Sequence, residues 1–191
     1  SLISPDLSPH AKQVLFPRKV LELIHKIPYL RDSGSEYSHQ AEFSFGQNMY
    51  TPSDISRSDL ITDDRPYAGW SYVGLAYHRK TTFVDHLDFL DSVEIQMGVV
   101  GPQAYAQQSQ DLVHELRNID TAKGWDHQLK NEPGLVVAFE RKWLFYPNSS
   151  RVLTTDAIVH TGGGVGNVST YFNTGLEVRC GLNLPRSFGV S

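Results

Sequence analysis

The sequence predicts an antiparallel all-β fold, and three observations predict it. Long segments alternate polar and apolar residues, so one face of each strand seeks an apolar surround and the other seeks water. A polar helical run within residues 101–131 is inserted between two such segments, where a hairpin loop is expected. Counting strands up and down from Ala41 brings every long loop to one end and the tight turns to the other. The alternation alone suits a transmembrane β-barrel and a soluble β-sandwich equally well. The loop asymmetry, and aromatics at Tyr50, Tyr67, Trp70, Trp143, Phe145, Tyr146 and Tyr171 that would form interfacial girdles, favour the barrel, with a short helix in an extracellular loop.

Composition bounds the function. The 191 residues carry a net charge of −4 and 40% hydrophobic residues, with no linker-like stretch dividing them, so residues 1–191 are read as one domain. With a sequence pI near 6.0 there is no basic surface to argue for nucleic acid. A single cysteine, Cys180, excludes an internal disulfide framework and a cysteine-based zinc site, and reads as a small apolar side chain in a strand. No apolar run approaches the ~20 residues of a spanning helix. The mean hydropathy of −0.33 is compatible with a spanning barrel, whose strands are half polar. Ser1 to Ser4 resembles the tail of a strand, with the expectation that upstream sequence has been removed.

Taken in order, His10 to Ile27 carries apolar residues at helical spacing, with Pro17 interrupting or opening a short helix. Ala41, Phe43 and Phe45 alternate with Glu42, Ser44 and Gly46 in a strand that ends at Thr51-Pro52. A polar loop from Ile55 to Pro66 follows, and Trp70 to His78 forms the next strand with a turn near Arg79 to Val84. Leu87, Phe89, Val93, Ile95, Met97 and Val99 share one face of the clearest strand. Beyond the insertion, strands are expected from Leu135 to Tyr146, Val152 to His160 and Thr170 to Leu184, with Gly162 to Asn167 as a glycine-rich loop.

The candidate chemistry sits in the insertion. Gln110 and His114 lie four apart on the predicted helix, so both face one way, one turn removed. Leu112, Val113 and Leu116 are expected to press that helix onto the barrel mouth, leaving His114 at a partly buried boundary where a neutral imidazole acts as a base. Glu115 and Asp120 are near enough to orient the ring. In the preceding loop Arg65 can pair with Asp63 or Asp64, leaving Arg57 freer to meet an anionic ligand, beside the blander reading of Arg57 as solvated surface. No Gly-x-Ser-x-Gly elbow and no zinc-spaced histidine pair occurs.

Three motifs in order, Gln47-Asn48-Met49-Tyr50-Thr51-Pro52-Ser53, Asp63-Asp64-Arg65-Pro66-Tyr67-Ala68-Gly69-Trp70 and Gly98-Val99-Val100-Gly101-Pro102, followed by His114, Trp125, Gln128 and Asn131, resemble the LpxR-type outer-membrane lipid A deacylases. The resemblance runs from about Ala41 to Asn183. It implies a calcium-dependent esterase at the outer mouth of a barrel, removing the 3′-linked acyloxyacyl chain of lipid A in lipopolysaccharide. His114 matches the catalytic histidine, Gln110 the active-site glutamine, Asp120 an acidic position beyond the histidine, and Arg57 a substrate-binding position that is usually lysine. The family's Asn-Asp pair, which helps hold calcium, is expected before Ser1. About six strands are countable, whereas a closed barrel needs at least ~8 and the resemblance implies around twelve, so a barrel truncated at both ends is expected. Two alternatives to the enzyme are a non-catalytic barrel of the same family that binds lipid or stabilises the envelope, and a soluble β-sandwich binding module.

Overall fold

The computed structural model describes residues 36–82, 87–146 and 153–188. Six strands form one antiparallel sheet in sequence order: β1 (Glu36–Tyr50), β2 (Ala68–Thr82), β3 (Leu87–Val100), β4 (Glu132–Phe145), β5 (Leu153–Gly166) and β6 (Tyr171–Leu182). One helix, α1 (Ala106–Leu116), lies between β3 and β4, bracketed by single 3-10 turns at Pro102–Ala104 and Trp125–His127. The predicted helix at His10 to Ile27 lies outside the described residues.

Alternation sets the register. Phe43 pairs with Leu75, Leu75 with Ile95, Ile95 with Val137, and Val137 with Val165, so the apolar residues of five strands form one continuous face. Phe172, Leu176, Val178 and Leu182 of β6 continue it, and all four are exposed. Cys180 shares this face and is exposed as well. The opposite face carries Glu42, Ser44, His78, Ser92, Glu94, Glu140, Lys142 and His160, tied by bonds such as His78 Nδ1 to Ser92 Oγ at 2.8 Å and His160 Nδ1 to Glu140 Oε1 at 3.1 Å. A large apolar face left uncovered on a sheet whose other face is a polar network is the pattern of a barrel wall, lipid outside and water within.

Several expectations change. β2 and β5 are longer than the alternation predicts, because pairing continues through Arg79–Thr82 and into the glycines. Gly162 to Gly166 is not a loop: it extends β5, and only residues 167–170 turn to β6. Glycines there cost little, since Tyr171 lies over Gly164, where a Cβ would meet its ring at 2.6 Å. The girdle reading fails for Trp70 and Tyr67. Both are buried: Trp70 lies on the inner face stacked at 5.5 Å with Tyr72, and Tyr67 packs beneath the insertion.

Asp91 breaks the apolar face of β3. It sits between Arg79 and Arg141 on the neighbouring strands, accepting from Arg79 Nη2 and Arg141 Nη2 at 2.8 Å each, and is 1% exposed. On the inner face at the tight-turn end, the chain after β6 folds back. Arg186 makes two bonds to buried Asp88, at 2.8 and 2.6 Å, and Phe188 packs with Leu144 and Ile158.

Candidate active site on the outer wall

The insertion begins at Gly101, whose φ of 101° suits glycine, and whose N–H bonds Gly69 O at 2.9 Å. Its two ends are pinned together by Asn131, whose Oδ1 accepts from Gln103 N at 2.8 Å. Tyr105, in the left-handed region at φ 57°, separates the 3-10 turn from α1. The helix then meets the wall through small residues. A Cβ on Gly69 would come within 2.6 Å of Ala106 Cβ and 3.0 Å of Ala104 Cβ, so glycine is what permits this approach.

Gln47 and Ser71 pair across β1 and β2 on the outward, apolar face, and both donate to Ala104 O, Ser71 Oγ at 2.7 Å. The insertion therefore leaves the barrel rim and lies against the outside of the wall. This corrects the predicted seat: Leu112, Val113 and Leu116 do not press on the barrel but are exposed, Leu116 at 77%. Ala106, fully buried, takes that role because a close helix–sheet approach needs side chains no larger than a methyl.

His114 and Gln110 face the same way, as the spacing requires. Gln110 Oε1 accepts from the indole N–H of Trp125 at 2.8 Å, and Trp125, 1% exposed, packs with Tyr67, Ala106 and Ala122 at a ring distance of 5.0 Å from Tyr67. The helix ends at Leu116, and beyond it Asn118 is left-handed at φ 53°, after which Ile119 N bonds His114 O at 2.9 Å. That reversal carries the Asp120 carbonyl to His114 Nδ1 at 2.6 Å. A carbonyl only accepts, so Nδ1 carries a proton, and of the two neutral tautomers this contact selects the one whose lone pair is at Nε2. The contact to Asp120 is thus made by its main chain, not by the carboxylate that the sequence suggested.

The loop from β1 to β2 joins the same platform. Lys123 N bonds Ile55 O at 3.0 Å and Leu129 N bonds Tyr67 O at 2.9 Å. Asp64 closes the loop base, accepting from Ser53 N and Arg65 N at 2.7 Å each, and those bonds hold its carboxyl below the usual range. Arg57 reverses its predicted freedom. It forks onto Asp59 at 2.6 and 3.2 Å with Asp63 at 3.8 Å, which raises the guanidinium and lowers Asp59. Arg65, read as able to pair, makes no ion pair among the described residues; Arg57 competes for Asp63 instead. The structure thus gathers Gln110, His114 and the Asp120 main chain, and leaves Arg57 bound to its own loop.

Two oxygens that sequence reasoning passed over are buried here: Asp111 Oδ1, without a hydrogen-bond partner among the described residues, and Tyr67 Oη, beside the Gly124 main chain. Burial also pushes the Tyr67 phenol up. Asp111 had one signal, its position three residues before His114 on a helix.

An outer wall of exposed apolar residues with a helix strapped across it fits a membrane barrel, and comparison with known proteins decides which. The family model described as "Outer membrane protein LpxR" matches residues 4–191. The chain belongs to the LpxR family of outer membrane proteins. Its fold is similar to that of LpxR from Salmonella typhimurium, with a TM-score of 0.61 at 20% identity, covering 73% of this chain and 46% of that one. The chain thus spans less than half the length of this solved LpxR structure. No curated protein matches it. The fold is a transmembrane β-barrel wall of the LpxR type, located in the outer membrane, and the β-sandwich alternative falls.

Calcium, which the family resemblance implies, takes six to eight oxygen ligands. Among the described residues no three His, Cys, Asp or Glu side chains converge, and Asp111 Oδ1 is a single unmatched oxygen. The described residues do not fit a calcium site by themselves.

Proposed function

We propose that the whole protein is an ester hydrolase of the outer membrane that removes the 3′-linked acyloxyacyl chain of lipid A, with His114 as its general base. The observation that carries this reading is the bond from His114 Nδ1 to the Asp120 carbonyl, which fixes the tautomer with Nε2 available, on a helix lying against the outside of the barrel. A lipid substrate reaches that side of the wall without leaving the membrane.

Nε2 takes a proton from water as its oxygen adds to the ester carbonyl, giving a tetrahedral oxyanion and an imidazolium. The carbonyl reforms as the C–O bond to the sugar breaks, and Nε2–H protonates the departing alkoxide, yielding a free fatty acid and a sugar hydroxyl. Gln110, its oxygen engaged by Trp125, has its amide N–H groups for orienting water or ester. Asp120 contributes through its main chain. Arg57 is proposed to bind a lipid A phosphate on exchanging Asp59 for it, since the planar fork suits either anion. Calcium dependence belongs to the same proposal and rests on the family resemblance.

The test is mass spectrometry of lipid A from cells expressing the full-length gene, alongside His114→Ala and a chelator-treated sample. The acyloxyacyl mass disappears with the unaltered protein and persists with His114→Ala, whose rate falls by about 10²–10⁴-fold. Restoration by added calcium after chelation supports the metal requirement. An unchanged lipid A profile, with outer-membrane expression confirmed and calcium in excess, refutes the enzyme and leaves the second reading, a non-catalytic barrel that binds lipid. That reading has its own observation: Arg57 is already neutralised by Asp59 and Asp63.

A further inference from the structure

Helix α1 divides into three sectors. Ala106, Gln110 and His114, each four residues apart, face the wall and the Trp125 platform. Gln108, Asp111 and Glu115 form a polar sector. Leu112, Val113 and Leu116 form an apolar one, and all three are exposed. A soluble helix hides such residues beneath itself; here the wall is met by alanines, and the apolar sector is turned away from it.

The position of the helix says what meets that sector. The insertion is anchored on the outward pair Gln47–Ser71. The next outward pair along the same strands is Phe45–Val73, then Phe43–Leu75, and all four are exposed, Phe45 at 85%. One outward step is two residues, about 7 Å. The anchored 3-10 turn therefore borders on the face that an outer membrane protein turns to lipid, and α1 follows it on the same outward side, with Ala106 against Gly69 of the pair Met49–Gly69. An apolar sector beside a polar one, on a helix at the edge of the acyl layer, is the arrangement of an interfacial helix.

We propose that α1 is a membrane-inserted interfacial helix: Leu112, Val113 and Leu116 lie among the acyl chains of the outer leaflet, and the exposed Gln108 and Glu115 lie at the headgroups. The occupant of the sector is lipid acyl chain, continuous with the lipid that covers Phe45 and Val73. The inference concerns membrane contact and does not rest on the hydrolase reading.

The experiment uses the full-length protein in lipid vesicles, with its native cysteines replaced, Cys180→Ser among them, and one added cysteine carrying an environment-sensitive dye. Leu112→Cys and Leu116→Cys are compared with Gln108→Cys and Glu115→Cys. At 112 and 116 the emission is blue-shifted, quenched by lipids brominated on the acyl chain and spared by aqueous iodide; at 108 and 115 the pattern reverses. Equal iodide quenching at all four positions overturns the proposal, because the sector then faces water. Protection from both quenchers at 112 and 116 also overturns it, because protein then covers them. Heat-modifiable gel migration of each variant confirms that the barrel has folded, and its readout is independent of any activity. A hydrolase-negative protein that shows the expected quenching retains this inference while losing the previous one.

Discussion

His114 is oriented by a main-chain oxygen, and that changes which neighbour matters. Replacing the Asp120 side chain leaves its carbonyl in place, so Asp120→Ala retains lipid A hydrolysis to within about threefold, a small effect beside removal of the base. The conformation of Asn118 matters more, because its φ of 53° reverses the chain. Asn118→Val places a β-branched residue in the left-handed region at a cost of roughly 1–2 kcal/mol, which lowers the rate about tenfold if the bond is lost in proportion, and Asn118→Gly restores it. Equal losses for Asp120→Ala and His114→Ala in a rate assay contradict this assignment. Asp64 is a second case of a side chain serving the backbone. Its pKa is depressed by the amides of Ser53 and Arg65, so the unfolded loop binds its proton more readily than the folded one. Its contribution is complete above the ordinary carboxylate pKa and is lost as pH falls through the lowered value. Amide exchange at Ser53 and Arg65, corrected for the intrinsic rate, is expected to rise over that acidic window, and Asp64→Asn removes the pH dependence.

At the scale of the element, α1 is held by shape more than by apolar mass. Gly69, Ala104 and Ala106 bring helix and wall close enough for Gln47 and Ser71 to bond Ala104 O. A larger residue at 69 meets two alanines at once. Gly69→Val is expected to displace the insertion, abolishing hydrolysis while β1 to β3 stay paired. Retained heat-modifiable migration with lost lipid A hydrolysis is the expected pair of results; full activity shows that the seat is looser than these contacts imply. The length and spacing of Gln107 to Leu116 made the helix legible in the sequence, and its four-residue interval put Gln110 beside His114 correctly. Its rotation about its own axis was not legible. Hydrophobicity alone turns Leu112 and Leu116 inward, and that inference fails where the surround is lipid, since outside the barrel both sides of the helix are apolar.

Across the molecule, the two faces of the sheet settle charge in different ways. The inner face strings polar groups into pairs such as His160–Glu140 and Arg186–Asp88. The outer face carries the single cluster Arg79–Asp91–Arg141 among the described residues, with Asp91 between two guanidinium groups on adjacent strands. This cluster links β2, β3 and β4 where the apolar alternation of β3 is broken. Asp91→Ala takes from the buried Arg79 and the half-buried Arg141 the carboxylate they share, a loss of about 3–5 kcal/mol for a broken buried pair. The denaturant midpoint of the vesicle-inserted protein is expected to fall accordingly, and a shift indistinguishable from that of Glu115→Ala, on the exposed helix, rejects a structural role for the cluster.

The sequence by itself determined the strands, their faces, the helix, and the one end to which the loops run, because each follows from a local period of two or 3.6 residues. Its three ordered motifs also pointed to the family that the match over residues 4–191 establishes. Only the tertiary structure decided that the insertion lies outside the wall, that His114 meets the Asp120 carbonyl, and that Arg57 is held by Asp59 while Arg65 makes no ion pair among the described residues. These depend on which atom of a residue is turned toward a neighbour distant in sequence, and no periodicity carries that information. The chain from 101 to 131 was visible as an interruption in a strand pattern; its place on the lipid side of the barrel came from a glycine at 69 and two outward-facing polar residues, Gln47 and Ser71.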